Sequence, residues 1–237
     1  MATSDSTNRL VRRSFLSRLG LGLTGTGIAA GSRTTAAQVI SSDAVRWSPA
    51  HHVQDDWLDQ VPGKHRFVLD TTTPEGLGNA LAFTSNYFVA NQNAYGLKDA
   101  DLAVVIVVRH NSTPFAYNDA MWAKYGAAIS QRNKFVDPKT MQPPSANLFN
   151  SRGYGDLLTN RGTVLDGLLV RGVQLAVCQM ATRAYASAIA GASGGNTEAI
   201  YTELVANLVG GTARMVPAGI VAVNRAQERG YSLACSV

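Results

Sequence analysis

In the stretch GVQLAVCQMATRAYA, residues 172–186, Cys178 stands where a strand-like apolar run gives way to a helical pattern. A cysteine in that place has a chemistry available to it: the dipole and unpaired N–H groups of a helix's first turn favour a thiolate, the form that acts as a nucleophile. The same position also suits a small apolar filler, since free cysteine is among the most buried residue types. Arg109 and His110 follow a second apolar run, AVVIVV at 103–108, and would bring positive charge to the same end of a sheet. These three, Cys178, Arg109 and His110, are the candidate reactive residues. Arg109 has an alternative as an ion-pair partner of Asp70 or Asp119, and His110 as a hydrogen-bonding member of a polar turn. Cys235, the other cysteine, is open to reading as a second thiol, a disulfide partner of Cys178, or neither.

Other constellations carry less. His51, His52, Asp55 and Asp56 are metal-ligating residue types, but adjacent side chains diverge and no second binding element accompanies them. They read as a solvated or capping segment, and no metal is expected. Gly76-Leu77-Gly78 starts like a dinucleotide fingerprint, yet its glycines fall after the helix N-cap instead of in the turn, which points to close packing and to no cofactor. A hydrolase reading has no G-x-S-x-G to stand on.

The elements that would position these residues alternate regularly from His65 onward. His65–Asp70 reads as a strand, Thr73 as an N-cap and Pro74 as the first residue of a helix running to Tyr95 and ending at Gly96. The uninterrupted apolar run 103–108 is the kind of strand that is buried on both faces of a parallel sheet. A helix is expected around Asn118–Tyr125, a long Pro- and Asn-rich excursion over 130–156, and a helical pattern at Leu157–Leu169. The strand Val173–Cys178 comes next, then an Ala-rich helical stretch broken at Gly191–Gly195 and resumed over Thr197–Val209. Strands at Ala213–Val216 and Tyr231–Cys235 flank a helix at Ile220–Arg229. Strands and helices in this rhythm predict an α/β fold, a five-stranded parallel sheet between helical layers. Ligands of such sheets sit beyond the strands' carboxyl ends. That rule collects Asp70, Thr71, Thr72 and Pro217 as binding candidates beside the reactive three, with Asn118 at the start of the next helix.

The chain has 237 residues, 21 Lys and Arg against 16 Asp and Glu, and a net charge of +5. Five of the basic residues, Arg9, Arg12, Arg13, Arg18 and Arg33, fall in residues 1–37 against Asp5 alone, which leaves 16 basic and 15 acidic residues over 38–237. The basicity belongs to the N-terminal segment, so nothing electrostatic calls for a nucleic-acid partner. That segment has a positive front, a weakly apolar middle from Phe15 to Ala30 and small residues before Gln38, the layout of an export signal. Arg12-Arg13-Ser14-Phe15-Leu16 resembles the twin-arginine consensus, with Val11 and Ser17 in place of its more usual residues. The expectation is a signal over 1–37 cleaved after Ala37, a linker or arm over 38–64, a domain over 65–237, the twin-arginine translocase as a partner during export, a periplasmic destination, and no membrane span after cleavage.

The order of elements, together with VVRHNSTPFAYNDAMWAKYG (107–126), RGVQLAVCQMA (171–181) and VPAGIVAVNRAQERGYSLA (216–234), resembles the DsrE/DsrF-like, or YchN-like, family, and within it the exported subgroup. The resemblance covers about residues 65–235. It implies a five-stranded three-layer domain assembled as a homo-oligomer, a trimer or hexamer. It also implies that Cys178 matches the cysteine that carries sulfane sulfur as a persulfide in some members, with a thiol or sulfur-carrier partner. The alternative from another class is a non-catalytic oligomeric module that binds a small ligand at the strand ends, with Cys178 merely packed.

Overall fold

The computed structural model describes residues 48–236. The expected signal, its cleavage site and residues 38–47 of the arm lie outside them. Five strands, β1 (His65–Thr71), β2 (Leu102–Val108), β3 (Gln174–Cys178), β4 (Ala213–Val216) and β5 (Ser232–Ser236), form one sheet in the order β4-β3-β2-β1-β5. Every pairing is parallel. All seven residues of β2 are buried, because Val104, Ile106 and Val108 enter one core while Ala103, Val105 and Val107 enter the other. An uninterrupted apolar strand is what two covered faces require.

Among the described residues, seven α-helices connect and cover the sheet: α1 (Trp57–Gln60), α2 (Pro74–Tyr95), α3 (Asp119–Asn133), α4 (Leu165–Val170), α5 (Gln179–Ser193), α6 (Thr197–Ala206) and α7 (Gly219–Glu228). The Thr73 side chain accepts the Gly76 N–H at 2.9 Å to start α2, and Gly96 at φ 66° ends it, as the sequence predicts. From β1 through β4 the strands step in one direction across the sheet. Right-handed crossovers therefore put α2 to α6 on a single face. Leu77, Leu81, Trp122, Leu165, Tyr185, Ile189 and Leu204 share that larger core. The return from β4 to β5 reverses the direction and carries α7 to the opposite face, where Ala222, Val223 and Ala226 pack with Trp57 and Leu58 of α1. The result is a three-layer α/β fold with helices on both faces.

Three sequence expectations need correction or detail. The helix expected at Leu157–Leu169 is confined to Leu165–Val170, because Arg161 (φ 48°) and Gly162 (φ 80°) form a left-handed turn that the Asn160 side chain braces by donating to Thr163 O at 2.7 Å. The helix expected to end near Tyr125 continues to Asn133, into the predicted excursion. The rest of that excursion is folded against the core through fully buried Asn147, whose amide donates to Phe115 O at 2.8 Å and Tyr117 O at 3.1 Å. Gly76 and Gly78 lie inside α2, where a Cβ would collide with Ser236 O and with Thr159 Oγ1 respectively, so they are close-packing glycines. Among the described residues no helix is long and apolar enough to cross a membrane.

Candidate functional site

The crossovers leave β3 and β4 as neighbours whose following helices depart to opposite faces, α5 to one and α7 to the other. Such a switch point opens a crevice beyond the strands' carboxyl ends. Cys178 is the last residue of β3 and the N-cap of α5, and its Sγ accepts the Ala181 N–H at 3.4 Å. The sulfur thus takes the place that a Ser or Asp oxygen fills in an ordinary cap. A buried relay holds this turn: Tyr117 Oη donates to Thr182 Oγ1 at 3.1 Å, and Thr182 Oγ1 donates to Cys178 O at 3.0 Å. Burial drives the Tyr117 phenol far above its ordinary range, so it stays a neutral donor. Neither Tyr117 nor Thr182 carries a sequence signal, since their pairing spans 65 residues.

Arg109 follows β2, next to Cys178 in the sheet. Its Nε and Nη2 donate to the two carboxylate oxygens of Asp70 at 2.7 and 2.8 Å, so of its two candidate partners Asp70 is the one engaged. This side-on fork leaves Nη1 facing away from the carboxylate. The Asp70 hydrogen bond raises the guanidinium above its ordinary value, against burial and with smaller support from Cys178 and Cys235. Asp119 instead accepts the Asn147 N–H at 2.8 Å. His110 adopts a left-handed φ of 59°, an uncommon conformation for a non-glycine residue and one enriched at functional turns. The turn around it is pinned from both sides: Asn111 N donates to Thr72 O at 2.8 Å, and the Arg109 N–H reaches Ser112 Oγ at 3.0 Å.

These groups line one cleft of about 300 Å³. Arg109, His110 and Cys178 meet there with Arg132 of α3, Met180, Ala181, Ala184 and Tyr185 of α5, and Ala218, Gly219 and Ile220 at the start of α7. Gly219 permits the approach, because a Cβ there would stand 2.6 Å from the Arg109 Cβ. No side chain caps α7, and its first N–H groups face no intrahelical acceptor. Arg132 stacks 4.9 Å from the centre of the Tyr185 ring, and among the described residues no carboxylate pairs with it. Burial pushes the Tyr185 phenol up to about 12, so at neutral pH it contributes no negative charge.

The structure brings together the three candidate reactive residues, with Asp70 of the neighbouring strand β1 paired to Arg109. It disperses the remaining binding candidates. Thr71 is fully buried and donates to Val107 O at 2.8 Å, which makes it a brace of the sheet. Thr72 contributes its backbone carbonyl to the turn. Asn118 caps α3 and donates to Asn207 Oδ1 at 3.1 Å, away from the cleft lining. Pro217 is exposed beside the cleft and does not line it. Arg132, Met180, Gly219 and Ile220 are among the lining residues that sequence reasoning missed.

Cys178 and Cys235 are both free. They stand three inter-strand spacings apart, roughly 14 Å, whereas a disulfide needs Cα atoms within about 7 Å. Pairing within one chain is therefore excluded. Another hollow, of about 220 Å³, opens between the start of α2 and the 134–159 segment, and neither a cysteine nor a histidine is among its described lining residues. His51, Asp56 and Asp59 do converge, their ligand atoms within 4.8 Å of one another. The acids are already engaged, with Arg229 Nε at 3.1 Å from Asp59 and Nη2 at 3.7 Å from Asp56, so they tie the arm to α7. No family model, curated protein or solved structure matches the chain.

Proposed function

We propose that this chain is a sulfur-handling protein in which Cys178 carries sulfane sulfur as a persulfide. The observation that carries the reading is the seat of Cys178: a strand-end cysteine at the switch point of the sheet, its sulfur receiving a helix N-terminal N–H, on the floor of a cleft with two arginines. Each part has a role in the step. The Cys178 proton passes to water, and the thiolate attacks the terminal sulfur of a persulfide or polysulfide donor. The donor's S–S bond breaks, its electron pair leaves on the donor thiolate or shortened polysulfide, and a new S–S bond forms at Cys178. Delivery repeats the exchange in the other direction, with an acceptor thiolate attacking the outer sulfur and Cys178 leaving. Negative charge is present throughout, which the Ala181 N–H and the Arg109 and Arg132 guanidinium groups offset.

The resemblance of the 107–126, 171–181 and 216–234 segments to the DsrE/DsrF-like family supports the same reading. With it come the proposals of a homo-oligomer, of a thiol acceptor partner, and of export through the twin-arginine translocase to the periplasm. Replacing both Arg12 and Arg13 with Lys is expected to hold the chain in the cytoplasm, as read by cell fractionation. A second reading, a binding module with Cys178 packed, has one observation in its favour: Cys178 is only 6% exposed. The test exposes the reduced chain to inorganic polysulfide and maps added sulfur by peptide mass spectrometry. One sulfur atom on Cys178, transferable to a small dithiol, is the expected result. An unmodified Cys178 in folded protein would refute the carrier and leave the binding module.

A further inference from the structure

The dimensions and lining of the cleft constrain what can deliver sulfur to Cys178. The thiol is 6% exposed and lies at the base of a cleft of about 300 Å³. That is the small end of ligand sites, suited to a compact molecule. Charge narrows the choice further. Among the described residues the lining includes Arg109, His110 and Arg132 and no carboxylate; Asp70, on the neighbouring strand β1, engages the Nε/Nη2 edge of Arg109. The walls differ in character from the floor. Met180, 69% exposed, and Ile220, 57% exposed, face the cleft from α5 and α7, with Ala181, Ala184 and Ala218 between them. Exposed apolar side chains that line a cationic cleft fit a ligand that is an anion at one end and hydrocarbon at the other.

We propose that the sulfur donor of this site is a small organic thiosulfonate, R–SO2–S⁻, with its sulfonyl oxygens at Arg109 Nη1 and Arg132 and its R group between Met180 and Ile220. The inference rests on the persulfide reading above. The Cys178 thiolate attacks the outer sulfur, the S–S bond of the donor breaks, and the electron pair leaves with the sulfinate R–SO2⁻. Two negative charges enter and two remain, one on the Cys178 persulfide and one on the sulfinate, so neither oxidant nor reductant is consumed. Two anions must meet in this step. The cationic floor removes the repulsion that slows the same reaction in water, and it stabilises the departing sulfinate.

The test uses the full chain with Cys235→Ser and measures sulfur loading of Cys178 by benzenethiosulfonate, by inorganic thiosulfate and by inorganic polysulfide, each normalised to its rate with N-acetylcysteine. Benzenethiosulfonate is expected to exceed thiosulfate at least tenfold, because thiosulfate has the anion without the apolar part. Arg132→Gln is expected to slow benzenethiosulfonate loading about tenfold, the effect of one lost charge-assisted contact, with Arg132→Lys restoring part of the rate and neither variant moving the Tm. Thiosulfate loading as fast as benzenethiosulfonate, or a full rate in Arg132→Gln, would each overturn the proposal. Loading by polysulfide with none from benzenethiosulfonate overturns the donor class and leaves the carrier intact. Loading by none of the three overturns the carrier itself.

Discussion

The two cysteines sit at the carboxyl ends of two strands of the same sheet, within the field of the same arginine, and their surroundings differ in everything else. Cys178 ends β3, has a neighbouring strand on each side, is buried, caps a 15-residue helix and opens onto a cleft. Cys235 lies on β5, an edge strand, exposed, with Asp70 as its register neighbour on β1. Proximity to Arg109 is therefore not what distinguishes the two thiols. The distinction comes from topology. Reversal of the crossover direction after β4 splits α5 from α7 at the end of β3 and creates the crevice, while β5 gains no such partner.

The most drastic way to break this comparison is to exchange the thiols. Cys178→Ser is expected to abolish sulfur loading, and Cys235→Ser to leave it unchanged, both read by intact-mass spectrometry. Equal losses in the two variants would remove the distinction. Arg109→Met ranks next, because it strands the Asp70 carboxylate, whose side chain is 5% exposed. Unfolding in denaturant is expected to show a loss of about 3 kcal/mol, the range for an orphaned buried charge. The double variant Arg109→Met/Asp70→Leu should recover part of that loss. Tyr117→Phe sharpens the comparison at the Cys178 end alone, by cutting the relay through Thr182 that anchors the capping turn. It is expected to cost about 1 kcal/mol and to slow alkylation of Cys178 while leaving that of Cys235 unchanged.

The smallest effect concerns the helical layer behind Cys178. Glu203 of α6 accepts from Tyr125 Oη and Lys124 Nζ of α3, each at 2.6 Å, and the Lys124 and Tyr125 hydrogen bonds hold its carboxyl below the usual range. A carboxyl lowered in the folded state stabilises the fold above its unfolded value, and that contribution disappears as the pH falls through the folded value. Thermal unfolding of Glu203→Gln should therefore lose some of the wild type's dependence on pH across the acid range, by an amount near the detection limit. A steeper acid dependence in the variant would contradict the assignment.

Much of this arrangement was legible in the sequence, for reasons that are local. The run AVVIVV declared a strand buried on both faces, Thr73-Pro74 and Gly96 marked the ends of α2, and Cys178 fell between a strand pattern and a helix pattern. The candidates Arg109, His110 and Cys178 followed from one rule about strand ends. What was not legible depends on contacts between distant parts of the chain. Strand order decides that Cys178 and Cys235 cannot pair, and no periodicity encodes strand order. Arg132 reaches the cleft only because α3 runs two turns past Tyr125, and Gly219 matters only through its contact with Arg109. Helical periodicity at 157–169 misled because its apolar spacing continues through a turn at Arg161-Gly162 that side-chain hydrogen bonding stabilises.

The central claim is that the buried thiol, not the exposed one, is the reagent, and one competition measures it. The folded chain with both cysteines present is treated with substoichiometric iodoacetamide at neutral pH, and label at each cysteine is quantified by peptide mass spectrometry, folded and in denaturant. The account predicts that Cys178 takes the greater share in the folded protein and loses that advantage on unfolding, when its helix end and its arginines are gone. Label confined to Cys235 until the chain unfolds would contradict it, and would make Cys178 a packing residue.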